Sequence, residues 1–295
     1  MLTRHLDANA ALVALIEPLT PCDGFSATNL PGVQVLRASC DVARGPQIYE
    51  PSLMIVAQGS KVAYLGPRTL EYGAGHYLIQ AMPVPFECET FALPNAPLLG
   101  VTVGIDRVVL GELVMAMGVQ AGPPPAAQTL ESMSSVVLDD AMRNCVERLL
   151  QCLHDPLESR IMGPARVREL LFTALRGPQA DVLRALVEQQ GQFSRIATSL
   201  SHLHAHYAEP LNIETLASYA HMSASTFHEH FKRCTLLSPV QYLKRLRLLK
   251  AQQLLLLDGM SVAQAAHGVG YQSSSQFSRE YKRYFQRNPG EERAA

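Results

Sequence analysis

The last hundred residues of this chain carry one pattern twice, and that repetition limits its fold more than any other feature. Ile213, Leu216, Ala217 and Ala220 recur as Val262, Ala265, Ala266 and Val269 at a constant offset of 49 residues. Phe227 and Phe231 recur as Phe277 and Tyr281 at an offset of 50. Apolar residues at i, i+3, i+4 and i+7 mark one face of a helix, and an aromatic pair at i and i+4 marks the inner face of another. Each copy therefore predicts a short helix, a tight turn and a second helix. That is helix-turn-helix geometry, in which the second helix of each pair can lie in a DNA groove.

Helix-start signals support the reading. Asn212 and Ser223 predict N-caps for the first copy. Ser238 with Gln241, Ser261 with Gln264 and Ser273 with Gln276 each have capping-box spacing, and Pro239 stands at a first helical position. Gly259 is placed to end the intervening helix in a left-handed conformation. That helix, Ser238 to Leu257, runs about 30 Å at 1.5 Å per residue. Successive major-groove faces lie about 34 Å apart, so the spacer can set both readers on one side of a duplex, with the small shortfall favouring a bend toward the protein.

The aromatics and Ala217 and Ala266 are expected in the core. The outward faces hold the expected double-stranded DNA contacts. These are Ser223, Ser225, His228, Glu229 and Lys232 in the first copy, and Ser274, Ser275, Gln276, Arg279, Lys282 and Arg283 in the second. Short hydroxyls at a helix start suit phosphate, as do lysines, and arginine can bond guanine bidentately. Glu229 can accept from cytosine or serve as a surface ion-pair partner. Arg247, on a stripe with Leu243, Ala251 and Leu254, is expected to be structural. His202 and His206 share a helix face in the spacing of a metal pair, but only Glu209 offers a third ligand, so they are read as surface or helix-packing residues.

Charge is divided along the chain. Residues 1–194 hold 13 basic and 19 acidic side chains, and residues 195–295 hold 12 and 7. A basic end on a near-neutral protein fits a polyanionic partner. No apolar run reaches the roughly 20 residues of a membrane span. Ala8–Ile16 is apolar, but Asp7 and Glu17 flank it and no cleavage pattern follows, so it is not read as a leader. The six scattered cysteines are read as reduced packing thiols of a cytoplasmic protein.

The rest predicts an α+β protein in three parts. Residues 1–120 form a many-stranded sandwich or barrel over about 25–105, where turn signals break short apolar runs, followed by a helix over Asp106–Met117. Residues 121–192 form a helical connector. It opens with the breaker Gly122-Pro123-Pro124-Pro125 and has helices over Val136–Leu153, Pro164–Arg176 and Pro178–Gln190, the last two each begun by proline. Residues 193–295 are wholly helical.

The tail resembles the AraC/XylS family of bacterial transcription regulators over residues 195–290. The resemblance rests on Leu216–Ala217, Met222–Ser223, Phe227, Phe231–Lys232, Ser238–Pro239, Tyr242–Leu243, Arg247–Leu248, Ala251, Leu254–Leu255, Val269-Gly270-Tyr271, Ser273, Gln276-Phe277-Ser278-Arg279, Lys282–Arg283, Phe285 and Pro289. Two helix-ending glycines usual in the family are replaced, one by Leu236 and Leu237 and the other by Gln286. The front is similar to the cupin-like β-roll of one subgroup, through Pro51, Val56, Gln58–Gly59, Lys61, Leu65–Gly66, Tyr72-Gly73-Ala74-Gly75, Tyr77–Leu78, Pro85 and Pro97. The resemblance implies an activator that binds promoter DNA and works with RNA polymerase, with a front domain that binds a small effector or forms a homodimer. Tyr49, Gln58, Tyr64, His76 and Tyr77, with Lys61, are candidate pocket residues. Metal-dependent cupins need a His-x-His pair with a further Glu and His. Here His76 is the only histidine between His5 and His154, so no metal, cofactor or catalytic site is expected.

Overall fold

A computed structural model describes residues 2–118, 130–188, 191–256 and 258–292, with side chains from residue 9 onward. The breaker at 122–125 and the spacer's expected last residue, Leu257, lie outside the described residues. The chain divides into two compact units at 191/192, the second also taking in residues 45–48 and 84–87.

The first unit opens with helix α1 (Leu2–Ile16), which buries Leu12 and Ile16. Strands β1 (Gly24–Ala27), β2 (Val33–Ala38), β3 (Val42–Gln47), β4 (Ser52–Gln58), β5 (Ser60–Leu65), β6 (Arg68–Gly73), β7 (His76–Gln80), β8 (Phe86–Phe91) and β9 (Leu98–Gly104) follow. Then come α2 (Arg107–Ala116), β10 (Met133–Val137), α3 (Asp140–Leu153), α4 (Pro156–Ala174) and α5 (Ala180–Ala185). The strands form a six-stranded sheet in the order β1-β2-β9-β4-β7-β10 and a four-stranded sheet in the order β3-β8-β5-β6. β4 and β9 are buried along nearly their whole length because α1 packs on them, which is why they read as continuous apolar runs. β5 and β8 alternate instead: Lys61, Ala63 and Leu65, and Phe86, Cys88 and Thr90, point inward.

The connector differs from expectation. The predicted helix over Val136–Leu153 begins as a strand, since Met133–Val137 pairs antiparallel with His76–Gln80. The helix starts only after Asp139, whose carboxylate caps the Met142 amide. Pro164 does not open its helix but lies within α4, which starts eight residues earlier at Pro156 behind the Asp155 cap. Burial of Ser159, Gly163, Leu170 and Leu171 along α4 overrides the local breaker. The last predicted helix is short, ending at Ala185. Residues 130–188 are thus built onto the β-roll.

The second unit comprises α6 (Gln192–Ala205), α7 (Ile213–Tyr219), α8 (Ala224–Thr235), α9 (Pro239–Leu256), α10 (Val262–Gly268), α11 (Ser274–Phe285) and α12 (Pro289–Glu292). Asn212 and Ser223 cap α7 and α8, and Ser261 and Ser273 cap α10 and α11. Only Ser261 closes a full capping box among the described residues; Ser238 accepts from the Gln241 amide, and Gln276 turns its side chain elsewhere. Both first helices end on the same bonds. The Met222 amide reaches the Ala217 carbonyl at 2.9 Å, and the Tyr271 amide reaches that of Ala266 at 3.0 Å. His221 (φ 50°) and Gly270 (φ 88°) make the left-handed turns. The offset changes at Gln272, the extra residue before the Ser273 cap.

Phe227, Phe231, Phe277 and Tyr281 are fully buried, with centroids 5.4 Å apart within each pair. Leu236 and Gln286 end α8 and α11 in the left-handed region, at φ 60° and 59°, where the family's usual glycines would carry no strain. Leu236 is exposed, so its side chain contributes little there. Leu236→Gly is expected to raise unfolding free energy by about 0.5–1 kcal/mol, the strain relieved less the entropy added to the unfolded chain. Gly270→Ala should lower it by more than about 2 kcal/mol, because a Cβ there would stand 2.2 Å from the Ala208 carbonyl oxygen. Denaturant unfolding of the two variants tests both signs.

Candidate nucleic-acid interface

Amphipathicity decides what α8 and α11 present. The aromatic pair turns one face of each helix to the core, leaving the opposite face to solvent. Ser223, Ser225, His228, Glu229 and Lys232 are all exposed, as are Ser274, Ser275, Gln276, Arg279, Lys282 and Arg283. Among the described residues no ion pair or side-chain hydrogen bond engages His228, Lys232, Arg279 or Lys282. Lys232 with Arg233, and Lys282 with Arg283, stand in the last turns of their helices, where cations complement the helix dipole.

Some expected contacts are already occupied. Ser223 accepts from the Thr226 amide at 3.3 Å, and its hydroxyl meets those of Ser225 at 3.1 Å and Thr226 at 2.8 Å. Ser273 holds the Gln276 amide, and the Gln276 side chain donates to Glu280 at 3.4 Å. Glu280 also receives Tyr271 at 2.9 Å and Lys244 of α9 at 2.8 Å. Sequence reading missed this hub. The i, i+4 spacing of Gln276 and Glu280 was visible, but the approach of Lys244 and Tyr271 is tertiary. Burial pushes the Glu280 carboxyl up, yet hydrogen bonds from Lys244, Tyr271 and Gln276 outweigh it and hold the group below its ordinary value.

Arg247 is structural, as expected: its guanidinium donates to the Tyr207 and Glu209 carbonyls at 2.7 and 2.6 Å. Arg233 is similarly engaged, with Gln192 and His230. His202 stacks between His206 and Tyr219, with centroids 4.2 and 4.1 Å away, and His204 meets the Tyr242 hydroxyl at 2.8 Å.

The pocket candidates in the first unit disperse. Tyr64 is half-exposed, donating to Glu89 at 3.0 Å with Arg44 over its ring. Tyr77 is buried with its hydroxyl beside Gly177, and burial together with Asp139 pushes it up to about 12. His76 is half-buried at the start of β7. Gln58 donates to the Pro97 carbonyl and lines a cavity of 310 Å³ with Asp41, Gly59, Phe91, Ala92, Leu93 and Ala96. Tyr49 bonds the Cys88 thiol. With Cys88 come Tyr72, Thr90 and Lys61, a group that period-2 alternation of β5 and β8 would have disclosed.

Comparison with known proteins agrees with this division. The family described as AraC-type transcriptional regulator N-terminus matches residues 29–182, and a helix-turn-helix domain family matches residues 216–295. The HTH-type transcriptional activator RhaS of Escherichia coli O1:K1 / APEC is 36% identical over 147 residues, covering 49% of this chain and 51% of the relative. The chain thus spans about half the length of the curated relatives it matches. An apo ToxT structure from Vibrio cholerae strain SCE256 superposes with a TM-score of 0.58 at 10% identity, covering 90% of this chain and 98% of that one. An unsaturated fatty acid-bound form of wild-type ToxT gives 0.54 at 10% identity, covering 92% and 96%. At that identity the likeness is one of fold. No described helix is long and apolar enough to cross a membrane.

Glu280 gives the stability of the fold a pH dependence. Its folded-state pKa lies below its unfolded value, so its contribution is complete above the unfolded value and is lost as pH falls through the folded one. Glu280→Gln is expected to lower stability at pH 7, with the gap to wild type closing below about pH 4. Denaturant midpoints of both proteins across that range measure it.

Proposed function

The chain belongs to the AraC family of transcriptional regulators, and from that premise we propose that it binds promoter DNA through both recognition helices, each in one of two successive major grooves. The observation that carries this is the pair of equivalent, capped helices on one spacer helix, each with an exposed polar face on which Lys232, Arg279 and Lys282 engage no protein partner among the described residues. Residues 193–295 supply DNA binding. Residues 1–120 serve as sensor or homodimerisation domain, and residues 121–192 transmit its state. A small-molecule effector, action as an activator with RNA polymerase, a cytoplasmic location and the absence of catalysis complete the reading, which the family membership supports.

On the second helix Arg279 is positioned for a base edge, and Lys282 and Arg283 for phosphate. The first helix offers Lys232 for phosphate and His228 and Glu229 for base edges.

The test is gel shift and footprinting on the DNA upstream of this protein's own gene and its neighbours. Protection of about two helical turns per monomer is expected, and its absence under every condition would overturn the proposal. Arg279→Ala should weaken specific binding by about 1–3 kcal/mol, roughly 5- to 150-fold, while Lys282→Ala should weaken all sequences alike and lower the salt slope by about one.

A further inference from the structure

Two glutamines hold the same position in successive helices and act differently. Gln264 stands three residues after the Ser261 cap of α10, and its side-chain oxygen turns back to accept the Ser261 amide at 3.0 Å. Gln276 stands three residues after the Ser273 cap of α11, and Ser273 accepts from its main-chain amide in the same way. Its side chain, however, runs one turn forward, and Nε2 donates to Glu280 Oε1 at 3.4 Å. The first copy differs again. At the 50-residue offset it has Thr226 and His230, the one engaged by Ser223 and the other by Arg233.

Glu280 is placed to fix an amide. Lys244 Nζ of α9 reaches its Oε1 at 2.8 Å, and the Tyr271 hydroxyl donates to its Oε2 at 2.9 Å. The carboxylate is thus pinned from two other parts of the chain, with 19% of its side chain exposed, while Gln276 beside it is exposed. Those bonds hold its pKa below the ordinary value, so at neutral pH it is ionised and can only accept. An obligate acceptor decides which way a neighbouring amide points. Nε2 faces Glu280 and Oε1 faces away, leaving Gln276 one acceptor and one further donor for an outside partner.

That pair of groups matches one base. On the major-groove edge adenine sets an amino donor beside the N7 acceptor. Guanine offers two acceptors, so its O6 would oppose Oε1, while cytosine offers a donor alone and thymine an acceptor and a methyl group. Holding the amide in advance also spares part of the rotamer freedom that a long polar side chain loses on binding. We propose that Gln276 reads an adenine in the groove entered by α11, and that Glu280 is its positioning residue, fixing the amide in the orientation adenine requires. The inference rests on the reading of α11 as a recognition helix, and names the base that one of its residues selects. A glutamine kept for capping would return to Ser273 as Gln264 returns to Ser261.

The experiment uses the full-length chain and selects sites from duplexes randomised over about two helical turns. Competition binding at fixed salt then compares the selected site with its single-base variants. At one position adenine should be preferred, with the other bases binding roughly 5- to 150-fold more weakly. Gln276→Ala should erase the preference at that position. Glu280→Gln should reduce it there too, because an amide can donate as well as accept and no longer dictates the orientation of its neighbour. In the Gln276→Ala background it should reduce the preference no further. Glu280→Asp keeps the charge for Lys244 but is one methylene short of Gln276; it should act likewise, and supplies the test if Glu280→Gln does not fold. A carboxylate with only a structural role would instead weaken binding to every sequence by one factor, with or without Gln276. That result overturns the inference, as does an adenine preference untouched by both Glu280 variants or the lack of any position sensitive to Gln276. The two failures are separable. If no site is selected at all, the reading of α11 falls; a selected site without a Gln276-dependent adenine removes this inference alone.

Discussion

Both helix-turn-helix units depend on a single helix that serves as a wall of each core. Near its start, Tyr242 of α9 packs edge-on against Phe231 of the first unit, with centroids 5.4 Å apart. Further along, Leu248, Ala251 and Leu255 join the second core with Ala265, Ala266, Val269, Phe277 and Tyr281. The relation between the two recognition helices is therefore set by covalent geometry: 18 residues, or about 27 Å, at a fixed rotation of about 100° per residue. Arg247 locks the middle of that helix to the carbonyls that precede α7, and Lys244 reaches the second recognition helix through Glu280. A residue inserted in α9 would turn one core's apolar stripe away from its partners. The separation of the two recognition helices is thus enforced by the same contacts that stabilise the domain.

Local rules explain why so much of this half was legible in the sequence. Caps, apolar stripes and i, i+4 aromatic pairs act over a few residues, and Asn212, Ser223, Ser261 and Ser273 all cap where their spacing places them. The front was legible as strands and turns, but pairing partners were not. Val136 belongs to a strand because Tyr77 lies opposite it, a contact between residues some sixty positions apart in the chain. Pro164 sits inside a helix because buried neighbours on α4 outweigh a local penalty. Residues bearing the expected DNA contacts were legible as an outward face, since exposure follows from periodicity. The approach of Lys244 and Tyr271 to Glu280 was not, since it brings side chains together from separate parts of the chain.

The glycine replacements show how a fold tolerates local misfit. Leu236 and Gln286 hold backbone conformations that cost an L-residue about 1–2 kcal/mol. Each keeps that geometry because the next helix must start three residues later, at Pro239 behind Ser238 or at Pro289 behind Asn288. The Asn288 amide and side chain both bond Glu291. These residues lie at the 50-residue offset as well, so the repeat runs through to the proline that follows each recognition helix.

Within this symmetry the copies are unequal, and the inequality follows from packing. In the second copy the turn is pressed against the Ala208 carbonyl, so only glycine fits at position 270. In the first, the equivalent His221 is exposed and carries its left-handed φ unaided. The tighter copy presents Arg279, Lys282 and Arg283, a concentration of charge suited to phosphate and guanine. The looser copy presents His228 and Glu229 beside Lys232, while Arg233 is held by Gln192 and His230. A carboxylate near a phosphate backbone opposes binding unless it finds a base donor such as the cytosine amino group. On the proposed mode of binding, Glu229 weakens contact with most sequences and spares those with a donor in reach. In the proposed binding mode affinity comes mainly from α11 and discrimination from α8, with α9 fixing the separation between them.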